Sequence, residues 1–246
     1  MRLTPHHNLW LVPKQETLPM LNTLLFIVFP YVAVLLTVVV GLARYFYNRY
    51  SYSSLSSQLV ESKVLFWGAV PWHYGVVPIL IIHLAGFTIP SIMHQIHSQA
   101  DRLYIAELIG KFMAFLALLG ILILIIRRLS HSKLRLLTTP LDWIVLLLLL
   151  NQIFLGLWVS LFYRWGAVWF LETVSVWVGS LAKFQPQTLN IAPLPLIPKL
   201  HFLNATLLIA LFPFTRLVHM MSFPITYLWR HIQVFIWNRR LANKGT

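Results

Sequence analysis

Four histidines set in apolar sequence carry the chemistry open to this chain. His201 and His219 lie eighteen residues apart near the ends of KLHFLNATLLIALFPFTRLVHMMSFPITYLWR, residues 199–230. Eighteen residues make five helical turns, which predicts both imidazoles on one face, about 27 Å apart along the axis. His73 and His83 stand ten residues apart in a second apolar stretch, about 65–93. That spacing corresponds to about 15 Å and about 80° of azimuth, with Pro71 and Pro78 predicting kinks that change the angle. Metal-binding or ionisable side chains inside a membrane span are costly and mark functional positions.

Two spans with two histidines each can hold two stacked cofactors. Antiparallel packing of the second and fifth spans pairs His73 with His219 and His83 with His201. Bis-histidine ligation at two depths is what two haems b require, each taking a neutral imidazole nitrogen on either side. A lone intramembrane histidine often serves only to hydrogen-bond a neighbouring helix. Four that match in depth across two spans favour ligation. Zinc fits less well: the two depths are too far apart for one tetrahedral site, and no carboxylate or thiol accompanies them. Arg216 lies three residues before His219 and shares its face. A buried guanidinium needs an anion, and a haem propionate can supply it; snorkelling to the headgroups is the alternative.

The elements that must position these residues are read from composition. The chain is 59% hydrophobic and 10% charged, with a mean hydropathy of +0.75, which places it in the membrane class. The formal charge of +13 does not point to nucleic acid, because the basic residues fall in loops between apolar spans. Cysteine is absent, so neither disulfides nor a thiolate-held iron–sulfur cluster can form here. No nucleophile–base pair, Gly-rich phosphate loop or paired carboxylates are present, which leaves electron transfer.

Hydropathy predicts an all-α integral membrane protein, a five-span bundle over 20–222 with the two haems between the second and fifth spans. The spans run over about 20–43, 65–93, 107–126, 140–162 and 200–222. The first is too long for a signal h-region. A polar arm, 1–19, precedes them and a basic tail, 223–246, follows. The connection 163–200 starts as a short apolar helix too short to cross, and its proline-rich second half is expected to be extended. Thr139-Pro140-Leu141-Asp142 reads as a capped helix start. Lys and Arg concentrate in the first-to-second and third-to-fourth links and in the tail. That bias predicts an inner-membrane protein with its N-terminus outside and its C-terminus in the cytoplasm.

Taken together, KLH…LFPFTRLVH…SFPITYLWRHIQ at 199–233, the His73–His83 spacing followed by Gly86 and Pro90, Arg127-Arg128-Leu129, TTPLDW at 138–143 and Gln152…Gly156-Leu157 resemble a known family. It is the gamma, cytochrome b subunit of membrane-bound respiratory nitrate reductase, matched over roughly 20–235. The resemblance implies haem ligation by His73 with His219 near the cytoplasm and by His83 with His201 near the outer face. It implies an iron–sulfur subunit and a molybdenum-cofactor catalytic subunit on the cytoplasmic side, with neither cofactor in this chain. It also implies quinol oxidation beside the outer haem, where Arg102 matches a basic position that is typically lysine. The same fold could serve nitrite oxidation with electrons running the other way. A stand-alone transmembrane cytochrome b is a further alternative.

Overall fold

The computed structural model describes residues 19–47, 61–163 and 166–220, so most of the polar arm and the whole of the basic tail lie outside the described residues. Among these residues every regular element is helical. Five helices are long and apolar enough to cross a membrane: α1 (Met20–Tyr47), α2 (Lys63–Thr88), α4 (Ala100–Ser130), α6 (Pro140–Phe162), and α8 with its first continuation (Leu196–Phe214). Between them lie α3 (Pro90–His97), α5 (Ser132–Leu136) and the apolar α7 (Gly166–Ala182), which is too short to span. The chain is a multi-pass membrane protein.

Several boundaries differ from the hydropathy reading. The second span ends at Thr88, and Ile89, at φ −131° and ψ 53°, breaks it before Pro90 opens α3. Pro90 suits a first helical turn, where its missing amide is not needed. The third span is longer than 107–126: the helix runs from Ala100 to Ser130, taking in Asp101 and Arg102 at its start and Arg127 and Arg128 at its end. Glu107 and Lys111 pair one turn apart at 3.4 Å. The fifth span starts at Leu196 and ends as an α-helix at Leu211, not 222; two short 3₁₀ turns, Phe212–Phe214 and Arg216–Met220, follow it. His201 and His219 therefore do not share one straight helix. The expected start of α6 is present as a full capping box: Thr139 Oγ1 accepts the Asp142 amide at 3.2 Å and Asp142 Oδ2 accepts that of Thr139 at 3.0 Å.

Packing follows chain order for α2, α4, α6 and α8, each closely against the next, and α1 joins the row on α8. The tightest crossing is α2 on α4, where small residues let the backbones approach. A Cβ added to Gly75 would meet the Met113 carbonyl oxygen and the Ala117 amide nitrogen, both at 2.5 Å. The α2 and α8 helices are not among the closely packed pairs; His73 of α2 meets His219 of the 3₁₀ turn after α8 through side chains.

The connection 163–200 is a wedge built around α7. Val174 and Trp177 bury themselves with Phe26 of α1 and Ile191 of the following turn. Trp177 Nε1 donates to the Phe26 carbonyl at 3.0 Å and Ser175 Oγ to that of Gly86 at 2.6 Å. Both acceptors sit four residues before a proline, Pro30 and Pro90, whose missing amide would otherwise have served them. Polar backbone at membrane depth has to be satisfied inside the protein, and neighbouring side chains do so here.

Candidate functional site

The α2 helix presents His73 and His83 in the same local way. His73 Nδ1–H donates to the Ala69 carbonyl at 2.7 Å and His83 Nδ1–H to that of Ile79 at 2.8 Å, each one turn back. His219, in the 3₁₀ turn after α8, donates Nδ1–H to the Arg216 carbonyl at 2.7 Å. A carbonyl can only accept, so each of these protons is fixed on Nδ1, which makes Nε2 the acceptor nitrogen of the ring. His201 reaches the same tautomer by a different route. Asn204 Nδ2 donates to Gln152 Oε1 at 2.6 Å, which turns the Gln152 amide group to His201 Nε2 at 3.3 Å. Nε2 must accept there, and its own proton lies on Nδ1, which is buried without a partner.

The structure brings the four together as two pairs. The rings of His73 and His219 have centroids 6.4 Å apart with planes at 75°, and both are exposed. His83 and His201, both half-buried, lie near each other. Phe170 of α7 stacks edge-on to His83 at 5.4 Å. Gly156 on α6 gives the His201 ring its room, since a Cβ there would meet Cε1 at 3.0 Å.

These donors fit a haem. Among the described residues no three His, Cys, Asp or Glu groups converge on a metal-sized site. A pair of neutral imidazoles suits a metal that arrives with an equatorial set of ligands, and a porphyrin iron is such a metal. Two metal–imidazole bonds of about 2 Å, plus the two ring radii, span roughly 6 Å, close to the His73–His219 separation.

Arg216 Nε bonds Asp142 Oδ1 at 3.0 Å, and Nη2 donates to the Leu137 carbonyl at 3.3 Å. Asp142 is thus an anionic partner from the α6 cap, one that spacing alone did not bring to Arg216. Arg102 sits exposed in the first turn of α4, at the end of the bundle that also carries the His83–His201 pair.

A scan against protein families matches residues 22–238 to the nitrate reductase gamma subunit. The nitrate reductase gamma chain of Bacillus subtilis is 30% identical over 214 residues, covering 85% of this chain and 95% of that one. The chain belongs to the nitrate reductase gamma subunit family. The respiratory nitrate reductase 1 gamma chain of Escherichia coli is 29% identical over 218 residues, covering 87% of this chain and 96% of its own. The nitrate reductase-like protein NarX of Mycobacterium tuberculosis is 33% identical over 217 residues, but this chain spans only 33% of its length. All four histidines, Arg102 and Arg216 fall inside the family match.

Two groups near these sites have no counterpart in the spacing arguments. At the His73 end, buried Arg127 bonds Glu61 through Nε to Oε2 at 2.7 Å and through Nη2 to the Glu61 carbonyl at 2.6 Å. The Glu61 carboxylate also accepts the Val64 and Leu65 amides at 2.7 and 3.1 Å, capping α2. The Arg127 hydrogen bond, outweighing desolvation and aided by those amides, holds the Glu61 carboxyl down at about 2. At the other end, burial pushes the His97 imidazole below its ordinary range, with Glu107 opposing and His94 adding to the shift. The double arginine Arg127-Arg128 and the lone acid Glu61 were the only signals for the first group, and 66 residues separate its partners.

Proposed function

We propose that this chain is the dihaem cytochrome b anchor of a quinol:nitrate oxidoreductase complex. One haem b is held by His73 and His219, the second by His83 and His201. The observation that carries this is the state of the imidazoles: His73, His83 and His219 are locked as Nδ1–H donors to carbonyls of their own elements, and two of the three face each other at 6.4 Å. Such a bond fixes ring orientation and raises the basicity of the ligating nitrogen. The bound iron would supply a centre that takes up and gives out one electron at a time.

The chain's own groups do the rest. The apolar spans half-bury His83 and His201. Arg216 stands one turn from His219, and its five-donor fork can serve a propionate while Asp142 holds Nε. The concentration of Lys and Arg in the α1–α2 link, the α4–α6 link and the tail supports a cytoplasmic location for the His73–His219 end. Iron–sulfur and molybdenum-cofactor subunits would dock there. The opposite end, with His83, His201 and Arg102, would face outside in the cytoplasmic membrane. There Arg102 would hydrogen-bond the quinol and protons would leave to the exterior. The family membership and the full-length match to gamma chains support this assignment.

The test is pairwise ligand removal. Replacing His83 or His201 by leucine should abolish one and the same redox transition, and replacing His73 or His219 the other. With His83 replaced, a quinol analogue should no longer reduce the remaining haem. If changes at His73 and His201 abolish a common transition, the pairing is wrong.

A further inference from the structure

His219 is delivered by a backbone that is no longer α-helical. Pro213 cannot donate an amide to the Ile209 carbonyl. The turn tightens so that the Phe212 amide reaches that oxygen, and Thr215 then adopts extended backbone, φ −111° and ψ 177°. Beyond the break the Leu217 amide bonds Thr215 Oγ1 at 3.2 Å, not the Pro213 carbonyl four residues back. Two carbonyls at the break are left with a lone pair that the helix itself does not fill. The Pro213 carbonyl is costly at membrane depth unless a neighbour supplies a donor, while the Ile209 carbonyl, already served by the Phe212 amide, has room for one more.

The α1 helix supplies both donors. Thr37 Oγ1 lies 2.6 Å from the Ile209 oxygen, closer than its other acceptor, the Ala33 carbonyl of its own helix at 2.9 Å. Arg44 Nη1 donates to the Pro213 oxygen. The two side chains are seven residues apart, so they lie along one stripe of α1 together with buried Ala33. Much of the rest of α1 is exposed apolar surface, including Val32, Leu35, Val39 and Leu42. The stripe meets α8 and the turn Phe212–Phe214, the same turn that launches Arg216–Met220 and its histidine.

We infer that Thr37 and Arg44 of α1 are positioning residues for His219, clamping the broken end of the fifth span so that this imidazole meets His73. The first span then acts on a ligand site to which it contributes no ligand. The inference rests on the proposed haem ligation and adds to it a role for α1.

The test uses the full chain purified with its partners. Thr37→Val and Arg44→Leu, singly and combined, are compared with Thr37→Ser and Arg44→Lys, which keep a donor at each place. Haem per chain and the midpoint potential of each haem are read by redox titration. The combined variant should weaken retention of the His73–His219 haem by about tenfold, the size of effect typical of lost support around a ligand, and shift its potential. The His83–His201 haem should stay at wild-type occupancy and potential, which also reports that the bundle is folded. The conservative variants should behave as wild type. An unchanged His73–His219 haem in the combined variant overturns the clamp, as does equal loss of both haems. A wild-type chain without haem would instead overturn the ligation on which the clamp rests.

Discussion

At the scale of single residues, Nδ1 hydrogen bonds to backbone carbonyls turn three of the four histidines into oriented acceptors. Their types and spacing were readable in advance because a histidine in an apolar span is conspicuous. The hydrogen bonds were not, since they depend on where each turn's carbonyl points. Arg102 makes the quinol assignment testable: Arg102→Gln should slow quinol oxidation about tenfold, the value of one hydrogen bond to a charged group, with haem content unchanged. The Glu61–Arg127 pair gives a pH prediction. Glu61 titrates at about 2 when folded against an ordinary 4.5, so the contribution of the pair is fully present above pH 4.5 and fades as pH falls towards 2. Thermal unfolding should therefore lose stability over that window in the wild type. Glu61→Gln should flatten that part of the profile, and an unchanged acid limb would remove Glu61 from the account.

At the scale of elements, hydropathy located all five spans and the Thr139 cap because both signals are local in sequence. It misjudged three ends for physical reasons. Asp101 and Arg102 in the first turn of α4 looked like a link, yet an acidic residue there suits a helix N-terminus and the helix starts at Ala100. Ile89 and the Phe212–Thr215 break are set by prolines whose freed carbonyls find donors on other elements, which no local window contains. The α7 wedge is the clearest case. Trp177→Phe keeps the buried ring but removes the donor to the Phe26 carbonyl, and should cost about 1–2 kcal/mol of stability, read as a lower midpoint in a detergent unfolding titration. Gly75→Leu should be worse, because α2 and α4 cannot separate without moving His73. Loss of the His73–His219 haem signal is expected there, and full haem content would argue that the crossing is looser than it looks.

At the scale of the whole molecule, five apolar helices present broad exposed hydrophobic surfaces, such as Leu35, Phe112 and Ile126, that only a bilayer or detergent can cover. Within that slab His73 and His219 meet where α2 passes the turn after α8, and His83 packs on Phe170 of α7 nearer the other end of α2. The electron path proposed above needs such a pair of stations, and the proposed partner subunits would be its destination. On the proposed reading, this chain's contribution rests on how many haems it would hold and by which residues. The most direct measurement is haem stoichiometry on the purified complex, by pyridine haemochrome against protein, in the wild type and in His219→Leu and His201→Leu. Two haems b in the wild type and one in each variant, with different ones lost, is the expected result. One haem or none in the wild type, or loss of the same haem in both variants, would contradict the account.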